Sequence, residues 1–149
     1  SVAEERWKRR DIKSIGLLAQ CLGKQAAAEQ GCYEAIMIED GMITGGTPSS
    51  FYIVKDNILI TRPLSREILA GVTRRAVLAL ADEHDIQIEE RLFSLEEAYA
   101  ADEACLTAAS NFVMPVVEID GHQIGDGKPG SVVKRLRELY IEQALASAI

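Results

Sequence analysis

Histidine, cysteine and aromatic side chains are scarce in this chain of 149 residues: two histidines, three cysteines, and Phe, Tyr and Trp together at 5%. His84 and His122 both sit in polar, turn-like surroundings, which argues against a histidine metal site or a histidine-based catalytic triad. Cys21, Cys32 and Cys105 are odd in number and none belongs to a CxxC pair. They read as reduced structural thiols, neither a disulfide frame nor a zinc site. No apolar run reaches the about 18 residues that a membrane span needs, and the opening SVAEERWKRR lacks the apolar stretch of a signal peptide. The expected compartment is the cytoplasm, with no membrane partner. Basic residues are outnumbered 16 to 23, for a net charge of −7, so a nucleic-acid partner is not expected. Lys8-Arg9-Arg10, the one basic cluster, reads as a solvated rim.

What is abundant is the material of a folded core. Hydrophobic residues make up 48% of the chain and charged residues 26%, the balance of one globular domain, taken over 1–149. SIGLLAQCLGKQAAAEQ, from residue 14, has helical composition and stops at Gly31. CYEAIMIED reads as a buried strand, EDGM as a turn returning through Met42 to Thr44, and GGTPSS (45–50) as a loop. FYIVKD and NILITR pair as a hairpin across Asp56-Asn57, and a helix runs from Val72 through TRRAVLALADEH. IQIEERL alternates like a strand, and Ser94 to Glu97 forms a capping box for a short helix. EACLTAAS and FVMPVVEID are strands, DGHQIG is a tight turn, and Ser131 is the candidate N-cap of a terminal helix. This order fits an α+β domain with a mixed, strongly curved sheet better than a doubly wound sheet or a bundle. No first strand is evident before Lys13, an opening that fits a piece of a longer protein.

Four stretches carry chemistry. Lys13, in RRDIKSIGLL, stands among apolar residues. Such a lysine either reaches to water or is held in a pocket, where desolvation lowers its pKa and frees a nucleophilic amine for a carbonyl. LAGVTRRAV (69–77) opens a helix at Val72 and Thr73 behind Gly71, and free N–H groups at a helix start favour an anion, although Gly-x-Thr starts are common without one. TGGTPSSF and LTAASNF are loops of small, hydroxylated residues. Each can lie against a flat ligand or be an ordinary turn.

Taken in order, RRDIKSIGLLAQCLGKQAAAEQGCYEAI, ITGGTPSS, ILAGVTRRAVLALA and LTAAS with MPVVEIDGHQIGDGKPG resemble the class IV pyridoxal-phosphate aminotransferases. The opening block is most similar to the D-amino-acid branch. The resemblance implies fold type IV, with this chain as the cofactor-binding domain, which is C-terminal in that family. It also implies pyridoxal 5′-phosphate as cofactor and transamination between a D-amino acid such as D-alanine and a 2-oxo acid, in a homodimer. By the same resemblance Lys13 holds the cofactor covalently and moves the substrate's α-proton from a partly dry pocket. Val72 (backbone) and Thr73 bind the phosphate, Leu69 packs on the ring, and Ser49 and Thr107 lie near the cofactor. No metal is implied. Branched-chain aminotransferases, (R)-amine transaminases and aminodeoxychorismate lyases share the frame, and a non-catalytic domain retaining the fold is the alternative of another class.

The chain departs from the family pattern in three places. The family's glutamate opposite the pyridine nitrogen is replaced by Gly45 in Thr44-Gly45-Gly46, with no adjacent acid in sequence to replace it. Pro48 stands where a serine is usual, and Ala109 stands where the D-amino-acid branch commonly carries a hydroxyl. Family chains are also about twice this long, their smaller domain supplying further phosphate and substrate contacts, so an activity impaired by Gly45 and by the missing half is expected.

Overall fold

The computed structural model describes residues 1–147. A five-stranded mixed sheet in the order β6-β5-β4-β7-β8 forms the centre. It contains β4 (Ser50–Lys55), β5 (Ile58–Thr61), β6 (Ile88–Glu90), β7 (Glu103–Ala108) and β8 (Phe112–Val116). Only the β5–β6 pairing is parallel within it. Strand alternation sends successive side chains to opposite faces, and each face carries its own core. Tyr52, Val54, Leu59 and Cys105 pack under α2 (Val72–Glu83) and α4 (Ser131–Ser147), against Val77, Ala81, Val133 and Leu136. Phe51, Ile53, Ile60, Ala104 and Leu106 face the other way, toward Ile36, Ile43, Phe93 and Ala98. That second layer is a three-stranded sheet of β1 (Val2–Ala3), β2 (Ile36–Glu39) and β3 (Met42–Gly46), with α3 (Leu95–Tyr99) beside it. β9 (Glu118–Ile119) and β10 (His122–Gln123) form a separate short ribbon. The α+β class with a mixed sheet is as the sequence suggested.

Several local readings hold. Asp40 and Gly41, with φ of 51° and 76°, make the turn between β2 and β3, and Asp56 and Asn57, at 50° and 63°, make the one between β4 and β5. Ser94 and Glu97 close a reciprocal capping box at the start of α3. Others need correction. Helix α1 runs Leu18–Glu29, so residues 14–17 are not helical; the Ser14 hydroxyl takes the Gly16 N–H instead, the local competition that serine offers a helix. A first strand does exist: Val2 and Ala3 pair in parallel with Met37 and Ile38. Arg10 is no solvated rim. It is 5% exposed, bonded to Glu39 at 2.7 Å and to the Glu67 carbonyl, while Lys8 and Arg9 are exposed.

Ser131 does not cap α4. It is the first residue of the helix, and the free N–H groups of Val132 and Val133 donate to the Glu103 carboxylate at 3.0 and 2.8 Å. A side chain on β7 thus does the work of a cap and joins α4 to the sheet. Replacing Glu103 with alanine should cost about 1 kcal/mol of stability, read as a lower denaturant midpoint with an unchanged slope; no shift would show that water replaces the carboxylate without loss.

Candidate functional site

A cavity of about 830 Å³ opens between the start of α1, the β3–β4 loop, the segment entering α2 and the end of β7. Lys13, Ser49, Leu69, Val72, Thr73 and Thr107, all singled out in the sequence, lie on its wall. Their separation along the chain, from residue 13 to residue 107, is closed by the β4–β7 pairing, which sets Ser50 opposite Thr107, and by the packing of α2 on the same sheet through Val77 and Ala81. Helix α1 approaches through a small surface: a Cβ on Gly23 would lie 2.9 Å from Thr47 Cγ2 and 3.3 Å from Met37 Sδ.

The α2 end of the cavity has features that suit an anion. Gly71 is the N-cap in extended conformation, and no side chain caps the helix. Thr73 is buried at 3% exposure, and its Oγ1 has no hydrogen-bond partner among the described residues. A buried hydroxyl without a partner carries an unmet demand of about 1–3 kcal/mol, and here it stands beside uncapped peptide N–H groups at the positive end of a helix. A phosphate group satisfies both, so the residues present fit a phosphorylated cofactor. Thr107, at 3% exposure, is instead engaged: its hydroxyl donates to Tyr52 Oη at 3.2 Å, and burial pushes the Tyr52 phenol well above its ordinary range.

Lys13 departs from the sequence expectation of a partly dry pocket. It lies on the cavity wall, yet residues 11–18 are exposed throughout, with Ile15 at 99% and Leu18 at 73%. The apolar residues that flank Lys13 in sequence do not close over it.

At and behind the other end of the cavity lie groups that sequence reasoning missed. Ser49 Oγ donates to Glu34 Oε1, and a Cβ on Gly46 would overlap both atoms. Burial pushes the Glu34 carboxyl up, against the lowering effect of the Ser49 hydrogen bond and the Lys24 charge, and the net direction is upward. Glu4 lies behind Thr44, whose hydroxyl donates to it at 2.5 Å. Burial raises the Glu4 carboxyl, but hydrogen bonds from Arg6 and Thr44 outweigh that and hold it below its ordinary value. Arg62, 7% exposed, donates to the Ile43 carbonyl at 3.1 Å and pairs with Glu67. The sequence signal for Glu34 was its place between Tyr33 and a fully apolar run, Ala35-Ile36-Met37.

Gly45 itself is held at φ 144°, where a built Cβ would lie 2.9 Å from the Ser49 carbonyl oxygen. This backbone suits glycine, not an L-residue with an acidic side chain. Gly45→Glu should therefore lower stability by about 1–2 kcal/mol in chemical denaturation. A variant as stable as the parent would mean that the loop relaxes freely and that glycine is not required there.

The chain is similar to proteins of one kind. A family model described as amino-transferase class IV matches residues 1–119. The D-alanine aminotransferase of Bacillus licheniformis is 42% identical over 132 residues, covering 89% of this chain and 47% of that protein. The D-alanine aminotransferase of Staphylococcus haemolyticus is 39% identical over 145 residues, covering 95% and 51%. The chain thus spans about half the length of the curated relatives it matches. Among solved structures, the branched-chain aminotransferase of the archaeon Thermoproteus uzoniensis with norvaline superposes with a TM-score of 0.88 at 30% identity, covering 98% of this chain and 51% of that one. The branched-chain amino acid aminotransferase of Thermobaculum terrenum in its PLP form gives 0.88 at 31% identity, covering 93% and 46%.

Proposed function

The chain belongs to the class IV aminotransferase family, and from that premise we propose that it is the cofactor-binding domain of a pyridoxal-phosphate-dependent aminotransferase acting on a D-amino acid and a 2-oxo acid. The observation that carries this reading is the convergence of Lys13, Ser49, Leu69, Val72, Thr73 and Thr107 on one cavity of a size suited to a small cofactor and substrate.

Each of these residues has a physical part in the reading. Val72 and Thr73 offer peptide N–H groups, and Thr73 its free hydroxyl, to the phosphate, which fixes the cofactor at one end. Leu69 supplies an apolar surface for the flat ring. Lys13 Nζ would hold the cofactor by its aldehyde and would serve as the base that takes the substrate's α-proton and the acid that returns it. The cofactor, when bound, supplies a conjugated electron sink for the charge released at that carbon. Ser49 offers its hydroxyl oxygen to the ring, and Thr107 secures the β7 wall through Tyr52. Water is not excluded from Lys13 by the described residues, and a second polypeptide lying over the exposed Ile15, Leu17 and Leu18 would exclude it. A homodimer is the arrangement that fits the reading.

The D-amino-acid assignment is supported by the D-alanine aminotransferases at 42% and 39% identity. The solved branched-chain enzymes favour a second reading, with branched-chain L-amino acids as donors. Incubation with pyridoxal 5′-phosphate followed by borohydride reduction and peptide mapping should place one pyridoxyl group on Lys13, and Lys13→Ala should abolish it. Label spread over several lysines would contradict the site. Bleaching of the unreduced yellow complex by D-alanine but not L-leucine would select the first reading, and the reverse would select the second.

A further inference from the structure

We propose, resting on the cofactor reading above, that Glu34 acts through the Ser49 hydroxyl to supply the negative charge that keeps the cofactor's ring nitrogen protonated, in place of the acid absent at Gly45. Glu34 is then a positioning residue, one hydrogen bond removed from the ring.

A serine hydroxyl has one donor and two acceptor lone pairs. Ser49 spends its donor on Glu34, so the face it turns to the cavity can only accept. A ring nitrogen that carries a proton finds a partner there, whereas a bare one meets lone pairs. The carboxylate behind Ser49 polarises the hydroxyl in the same sense, and its partial burial keeps the interaction from being screened as it would be in water.

The local backbone is shaped around this pair. Any side chain at position 46 would collide with both Glu34 Oε1 and Ser49 Oγ, and Gly46 N donates to the Ser49 carbonyl at 2.9 Å, closing the loop that presents the serine. The same loop disfavours a direct acid, because a Cβ at position 45 would lie 2.9 Å from the Ser49 carbonyl oxygen and the loop would have to shift to admit it.

Other charges face this end from the neighbouring elements. Lys24 on α1 favours the ionised form of Glu34, working against the burial that raises its carboxyl overall. Glu4, behind Thr44 on β3, adds negative charge, and Arg6 balances it. Arg62, following β5, brings an opposing cation that is paired with Glu67 and held by the Ile43 carbonyl. If Arg62 governed the ring, the nitrogen would stay unprotonated whatever stands at position 34, and that outcome is distinguishable.

The test compares pyridoxal 5′-phosphate with its carba analogue, in which a C–H group replaces the ring nitrogen while aldehyde and phosphate are kept. The parent chain should bind the true cofactor about tenfold more tightly, one pKa unit of ring stabilisation. Both Glu34→Gln and Ser49→Ala should bring the two affinities within about twofold of each other. In parallel, the 15N chemical shift of ring-labelled cofactor should report pyridinium in the parent and pyridine in both variants at pH 7. The two substitutions reach the same end by different routes, and circular dichroism melts identify one that fails to fold. A folded variant that keeps both the preference and the pyridinium shift overturns the proposal, as does a parent chain without the preference. Should no borohydride-reducible adduct form on Lys13 with either aldehyde, the cofactor reading falls and this inference with it; an adduct without the Glu34 dependence sinks this inference alone.

Discussion

The start of helix α2 makes an electrostatic demand that nothing else among the described residues meets. Its N–H groups are uncapped by any side chain, and the hydroxyl of Thr73 beside them is buried without a partner. The fold holds that demand in place: Val77 and Ala81 anchor the helix to the central sheet, so its end cannot turn away to be solvated without disturbing the core under Tyr52 and Leu59. A group that brings negative charge and several acceptor oxygens is what such an end selects. The rest of the cavity wall is set relative to that fixed point, with Leu69, Lys13 and the β3–β4 loop contributing its other parts.

At the loop end, charge is delivered through intermediaries. Thr44 and Ser49 bracket Gly45, and each donates its hydroxyl proton to a carboxylate set behind it, Glu4 and Glu34 respectively. The Thr44 hydroxyl already accepts from Arg6 at 3.1 Å, whereas the Ser49 hydroxyl is an acceptor backed by negative charge. This is the polarity a direct glutamate would have given, obtained with the acid set back from the cavity. Tyr52 and Thr107 form a neutral pair under the β7 wall.

The parts legible in the sequence were those governed by neighbouring residues. The turns at Asp40-Gly41 and Asp56-Asn57, the capping box at Ser94 and the start of α2 at Val72 follow from local backbone preference, and each falls where the sequence placed it. Most misreadings involve partners distant in sequence. Arg10 is buried because Glu39 and the Glu67 carbonyl reach it from two separate segments. Ser131 loses its capping role to Glu103, 29 residues from Val132. Glu34 finds Ser49 across the β2–β3 hairpin. Around residues 14–17 the error has another cause: Ile15 and Leu17 gave the apolar signal of a packed helix, yet they are 99% and 51% exposed, so their hydrophobicity marks no packing within the 147 described residues.

Because Thr73 Oγ1 bonds to nothing among the described residues, Thr73→Val removes its hydroxyl at nearly constant volume without breaking an internal hydrogen bond. The most direct measurement is therefore the affinity of this variant for pyridoxal 5′-phosphate and for pyridoxal, which lacks the phosphate. A hydrogen bond to a charged group is worth about 1.5–3 kcal/mol, so the phosphorylated compound should bind about tenfold or more weakly than it does to the parent, with pyridoxal unchanged. Equal loss for both compounds, or loss for neither, would contradict the placement of the anion at the start of α2.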